Sequence, residues 1–246
     1  MHSIDNLGPR VIIWFDKGPL KGFQITETVF FVIIVAIVLI IFAFVATRKL
    51  QKYPKGIQAF AEFFVEIVYK FVKDNMGKHN MIFAPFIGTL FMFLLVSNAL
   101  GLIGFRPVTA DMNTTFALAF LVFFLIQFNA IHSGGIIHYF KHFAEPYPFM
   151  IPIKVVEEFT FPVSLSFRLF GNILAGVIVM SLVFTGLEYL SEHILHLPIP
   201  IFQIGIPLPL NVFFDMFEPV LQAFVFSMLT MAFISKAIVV HNPEEN

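Results

Sequence analysis

The chain contains no cysteine in its 246 residues, which excludes disulfides and thiolate-bound metals without revealing a compartment. Charge is also scarce: Asp, Glu, Lys and Arg together make up 13%, against about 25% in an average soluble domain. No long basic cluster is present and the formal net charge is −1, which argues against nucleic acid as a partner, because that binding depends on neutralising phosphates. A phosphate-cradling glycine loop, a nucleophile triad and a paired-histidine haem pattern are all missing, so no catalytic residue and no cofactor are expected. Inverted internal repeats of the transporter type are missing too. What remains is apolar: 58% hydrophobic residues and a mean hydropathy of +0.87. These values predict an all-α integral membrane protein, with residues 1–246 forming a single membrane domain.

Five runs are apolar and long enough to cross a bilayer, which takes about 20 residues each: 28–46, 82–104, 114–132, 162–186 and 206–240. The last two exceed one perpendicular crossing, so long, tilted helices are expected there. The first run follows Asp5, Asp16 and Glu27 and is too long for a signal-peptide core, so it is read as a retained span behind an external segment 1–27. Between the first two runs, Ile57, Phe60, Phe64, Ile67, Val68 and Phe71 recur at helical spacing against Glu62, Glu66, Lys70 and Lys73. That pattern predicts an amphipathic interfacial helix over 56–76. Residues 151–161 carry Lys154, Glu157 and Glu158 and lead into the fourth run without a clear break. The proline-rich stretches 146–152 and 198–209 read as linkers or re-entrant segments.

Lysine and arginine set the orientation. With the N-terminus outside, the inner segments hold Arg48, Lys49, Lys52, Lys55, Lys70, Lys73, Lys78, Lys141, Lys154 and Lys236, and the outer ones only Arg10, Lys17, Lys21 and Arg106. Five spans then put the C-terminus inside, in accord with the positive-inside rule.

Arg168 stands inside the apolar run VSLSFRLFGNILAGVIVMSLVF, where an arginine costs roughly 2.5–3.5 kcal/mol on insertion scales. Helical spacing places Ser164, Gly171, Asn172 and Ala175 beside it, so the charge lies in a stripe of small residues that another helix could approach closely. Two readings fit: a permanent ion pair with a carboxylate of this chain, or a charge kept for a partner that comes and goes.

In the fifth span Asn211, Asp215, Glu218 and Gln222 follow one another at i, i+4, i+7 and i+11. Pro219 has no N–H for the carbonyl of Asp215, which leaves a backbone acceptor for water beside two carboxyls. A wet, ion-accessible track is one reading; solvation of Asp215 at the interface and an interhelical hydrogen bond for Gln222 are the others. Asp111 stands before the third span in TADMNTT, where either it or Asn113 could cap the helix. Glu188, Glu192, His193 and His196 cluster in the expected outer loop as a solvated surface or a funnel, and His132 and His138 lack the neighbouring carboxylates of a metal site.

The motifs SLSFRLFGNILAG, LQAFVFSMLTMAFIS, TADMNTT and IKVVEEF resemble those of subunit a of bacterial F-type ATP synthases, in a match that runs in order over most of residues 50–236. The resemblance implies a non-catalytic, multi-pass stator subunit of the bacterial plasma (inner) membrane. Its partners would be a rotating ring of c subunits, a b-subunit peripheral stalk, the rest of the synthase and the lipid bilayer. By matching position, Arg168 would take the place of the stator arginine that attracts the ring carboxylate and separates two offset half-channels, with protons as the ion. Asn172 and Gln222 match the polar residues beside it, and Asp111 and Asp215 match positions on the outer path. Glu218 is a further candidate for that path, and Ser164, Glu157 and Glu158 are candidates for the inner one. One departure stands out: Val177 occupies a position where many relatives carry glutamate, and Asp215 and Glu218 on the facing helix are candidates to supply that function. The alternative from another class is a self-contained secondary transporter or channel in which Arg168 binds an anionic solute; it would need a cavity within the chain.

Overall fold

The computed structural model describes residues 11–14, 24–144, 147–194 and 202–241. Its architecture is all-α apart from a short N-terminal hairpin. There β1 (Val11–Trp14) pairs antiparallel with β2 (Gln24–Thr26), with an irregularity in register between Val11 and Ile13. The strands lead directly into α1 (Glu27–Thr47), whose N-terminus is capped by Thr26 Oγ1 accepting from the Val29 amide at 3.4 Å.

Helix α2 (Ile57–Met76) is bounded by Gly56 and Gly77 at φ 61 and 79, backbone conformations in which a side chain would be strained. Its inward face buries Val68, Val72 and Met76, while Phe60, Phe63 and Ile67 face outward. At its start Gln58 trades two hydrogen bonds with the backbone of Gln51, at 3.0 and 2.9 Å, fixing the turn from α1. Helix α3 (Ala84–Ala99) lies against it, and the absence of a side chain at Gly88 admits Val68, whose Cγ1 would stand 3.2 Å from an added Cβ.

Helix α4 (Met112–Ala144) is broken at Gly135, where φ 76 and ψ 159 leave the helical region. Helix α5 (Ile151–Ile194) runs 44 residues and continues through Pro162; at 1.5 Å per residue that is about 66 Å, twice a bilayer core. The expected span 162–186 is therefore the middle of a longer helix that includes 151–161. After two single turns, α6 (Phe202–Gly205) and α7 (Leu208–Asn211), residues Val212–Phe217 form a π-helix that passes into α8 (Glu218–His241).

Among the described residues five helical stretches are long and apolar enough to cross a membrane: Glu27–Thr47, Met81–Ile103, Met112–Ser133, Ile151–Ser191 and Leu208–Ile238. The core forms where α3, α4, α5 and α8 meet, around Ile87, Leu94, Val122, Leu169, Phe226 and Ile234. Phe161 and Phe233 pack ring on ring, with centroids 3.8 Å apart. In the same interface Thr115 and Ser166 are fully buried and share a 2.9 Å hydrogen bond, a polar clasp between α4 and α5.

Candidate functional site

One edge of α5 carries the charge. Leu165, Ser166, Leu169 and Ile173 turn into the bundle and are buried, so helical geometry turns Ser164, Arg168 and Ala175 outward, and all three are exposed. Gly171 and Asn172 are half-buried beside them. Arg168 makes no hydrogen bond or ion pair among the described residues. On the same side of the helix Phe167, Ile178 and Leu182 are also exposed, which makes this an apolar helix face with one cation in it. Of the two sequence readings, the permanent internal pair finds no partner among the described residues.

Further along α5 toward its C-terminus lies a cavity of about 510 Å³. Its polar lining comes from Asn98, Arg106, Asn211 and Glu218, and its apolar lining includes Val177, Phe214 and Pro219. Gly176 forms part of the wall: a Cβ there would stand 3.0 Å from Phe214 Cδ1 and 3.6 Å from Glu218 Oε2. The missing side chain makes room for the Phe214 ring, while the Glu218 carboxylate would be in ordinary contact with such a methyl. Val177 and Glu218 thus line one cavity, the first from α5 and the second from α8. Arg168 is not part of the lining; eight residues from Gly176, it stands about 12 Å away along the helix axis.

Asn98 is buried, and its Oδ1 accepts from the Thr109 hydroxyl. Its Nδ2 has no protein partner among the described residues. A buried amide donor calls for one, and a polar cavity of this size has room for the water that would serve. Arg106 Nη2 donates to the Ala110 carbonyl at 3.2 Å, which folds the loop between α3 and α4 over this space.

Other candidates from the sequence are placed as follows. Asp111 is buried and caps α4, its Oδ1 accepting from the Asn113 amide at 3.0 Å, and it does not line the cavity. Asp215 lies in the π-helical segment, but its side chain is outside the described residues, as are the side chains of Glu192 and His138 and the whole of His196. Because that segment is wound at five residues per hydrogen bond, with the Glu218 amide donating to the Phe213 carbonyl, the α-helical stripe from Asn211 to Gln222 is interrupted and holds only from Glu218 onward. Asn211 and Glu218 still meet in the cavity, and Gln222 is half-buried one turn further on. His193 stacks on Tyr189 at 4.0 Å and Glu188 is exposed beside them. Among the described residues no group of three acidic or histidine side chains could hold a metal.

At the opposite end of α5, two neighbouring acids face different helices. Glu157 reaches Lys236 of α8 at 3.7 Å, both largely exposed. Glu158 is half-buried and accepts from Gln127 Nε2 of α4, while the Tyr139 hydroxyl donates to Gln127 Oε1 at 2.7 Å. Burial, and then the negative charge of Glu158, raise the Tyr139 phenol above its ordinary value, so it stays a neutral donor. Asn98, Arg106, Gln127 and Tyr139 were not among the sequence candidates. For Gln127 a signal was present, a lone amide in the apolar stretch FFLIQF.

A model of the family described as ATP synthase A chain matches residues 29–235. ATP synthase subunit a of Moorella thermoacetica is 36% identical over 230 residues, 93% of this chain and 97% of that relative. ATP synthase subunit a of Campylobacter jejuni subsp. doylei is 36% identical over 214 residues, 84% of this chain and 88% of that relative.

Proposed function

This chain belongs to the ATP synthase A chain family, and we propose that it acts as the non-catalytic membrane stator of the synthase, coupling ion flow to rotation of a ring of c subunits and so to ATP synthesis. The observation that carries this reading is Arg168: a guanidinium on the exposed apolar face of a membrane helix, without a partner among the described residues. A ring of subunits, each presenting one carboxyl, supplies the missing partner in turn.

The mechanism follows from elementary electrostatics. A fixed cation in a low-dielectric setting favours the ionised form of an approaching carboxyl and lowers its pKa. Each ring carboxyl therefore gives up its ion before it passes Arg168 and takes up another afterward. For this to drive rotation, the two water paths must end on opposite sides of the arginine. The cavity at Glu218 supports an outer path about 12 Å from Arg168 along α5, and Glu158 supports an inner one about 15 Å away in the other direction. Moving one elementary charge across 100 mV yields about 2.3 kcal/mol, and Arg168 repels a cation attempting the short route between the paths.

Within this scheme Glu218, Asp215 and Asp111 belong to the outer path, Ser164, Glu157 and Glu158 to the inner one, and Asn172 and Gln222 flank the arginine. The proton is the proposed ion. The N-terminus lies outside and the C-terminus in the cytoplasm of a bacterial cell, α2 rests at the membrane interface, and a b-subunit stalk holds the stator still. The position of Arg168 outside the cavity lining favours this scheme over a self-contained carrier, which would need its cationic ligand inside the cavity. The test is ATP-driven ion uptake by membrane vesicles containing the Arg168→Ala complex, with and without sodium. Coupled uptake is expected to be abolished; retained coupled uptake would overturn the assignment.

A further inference from the structure

Tyr139, Gln127 and Glu158 form a linked series across two helices. On an unbroken helix Gln127 and Tyr139 would stand about 18 Å apart along the axis. They touch because α4 turns back at Gly135, in a backbone region that is essentially glycine's alone. The series also orients the amide of Gln127. Its oxygen faces the donating phenol, and its nitrogen faces a carboxylate, which when ionised can only accept.

A second, independent feature lies at the same place. Pro162 has no N–H to give the carbonyl of Glu158 four residues earlier, so that carbonyl is free for water. Glu157 next door is in a different position: a lysine stands against it. Glu158 is instead held by a neutral amide, which steers the carboxylate without cancelling its charge. The hydrogen bond occupies Oε1 and leaves Oε2 for water.

Resting on the stator reading and its placement of Glu158 on the inner path, the geometry points to Gln127 and Tyr139 as the residues that position the Glu158 carboxylate for exchange with the inner water. For a proton the step is balanced: a hydronium gives its proton to Oε2 and leaves as water, and the reverse step returns it.

The experiment uses vesicles holding the whole complex and measures ATP-driven ion uptake per assembled complex. The variants are Glu158→Gln, Gln127→Leu, Tyr139→Phe and the exchanged pair Gln127→Glu with Glu158→Gln. The exchange keeps an amide bonded to a carboxylate but moves the acid from α5 to α4. Loss of the hydrogen bond in Gln127→Leu or Tyr139→Phe is expected to slow uptake roughly two- to tenfold, the weight of one such bond. Glu158→Gln is expected to slow it at least as much, and the exchanged pair to restore the amount of assembled complex but not the rate. Uptake at the unmodified rate in both Gln127→Leu and Tyr139→Phe, or in Glu158→Gln, or full recovery in the exchanged pair, would reduce the series to a structural tie and overturn the inference. Arg168→Ala in the same vesicles separates the two claims: coupling lost there but unchanged in Glu158→Gln sinks only the role of Glu158.

Discussion

Replacing Gly176 by alanine is the most direct probe of the cavity beside Glu218. The added methyl would sit 3.0 Å from Phe214 Cδ1, tight enough that the ring must give by a few tenths of an ångström, and 3.6 Å from Glu218 Oε2, an ordinary contact. Overpacking of this kind costs about 1–3 kcal/mol, and alanine's better helix propensity returns about 1. The net loss of stability is then between zero and about 2 kcal/mol, which leaves room for the complex to assemble. Ion flux should suffer more than stability, because the methyl displaces the Phe214 ring and crowds the Glu218 carboxylate, and both border the cavity. An added barrier of about 1 kcal/mol slows passage roughly fivefold. The assay is ATP-driven quenching of a pH-sensitive dye in inverted vesicles, normalised to assembled complex, alongside passive conduction after the catalytic sector is stripped off. Gly176→Val should be worse, and Phe214→Leu combined with Gly176→Ala should recover part of the loss by clearing the contact. If Gly176→Ala and Gly176→Val both conduct at the unmodified rate, the ions do not pass through this cavity.

Two further expectations concern neighbouring groups. Glu218→Gln keeps the shape of the side chain but removes its charge, and should lower pumping while assembly persists; an unmodified rate would rule out an essential role for Glu218. Ser166→Ala removes one hydroxyl of the buried clasp but leaves Thr115 still donating to the Met112 carbonyl at 3.0 Å. It should cost only about 0.5–1.5 kcal/mol, seen as a small drop in the temperature at which the solubilised complex loses this subunit, and a loss above about 3 kcal/mol would mean that the clasp has other dependants.

The spans were legible because a bilayer imposes one strong requirement, a long apolar run, and 28–46 or 114–132 satisfy it without ambiguity. Helix α2 was legible as a helix through the spacing of Ile57, Phe60, Phe64, Ile67, Val68 and Phe71, but of these Val68 alone is buried and Ile57, Phe60 and Ile67 face outward, so the period did not give the buried face. The break at Gly135 was harder to see, because the apolar stretch continues on both sides and one glycine of the pair Gly134–Gly135 looks like another. The continuity of α5 past Pro162 was ambiguous for the opposite reason: a proline in a helix signals a stop, and the surrounding packing of Leu165 and Phe161 overrides it. The π-helical winding at Val212–Phe217 left no mark in the period of the sequence, so the stripe from Asn211 to Gln222 was drawn with straight α-helical geometry. At the site, Arg168 and Glu218 were visible because charge is expensive in an apolar run. Asn98 and Gln127 are neutral, and their meaning depends on which helices meet, which no local pattern encodes.

The unaccompanied state of Arg168 has a consequence for the smoothness of rotation. A carboxylate of the same chain held against it would have to be displaced by every arriving ring subunit and would re-form after each departure, adding an identical hurdle to every step. Among the described residues no such competitor is present. On the stator reading, the arginine then carries no memory of the subunit that has just left. The height of each step is set by the incoming subunit and the voltage alone, and the torque of the motor should be as even as the ring itself.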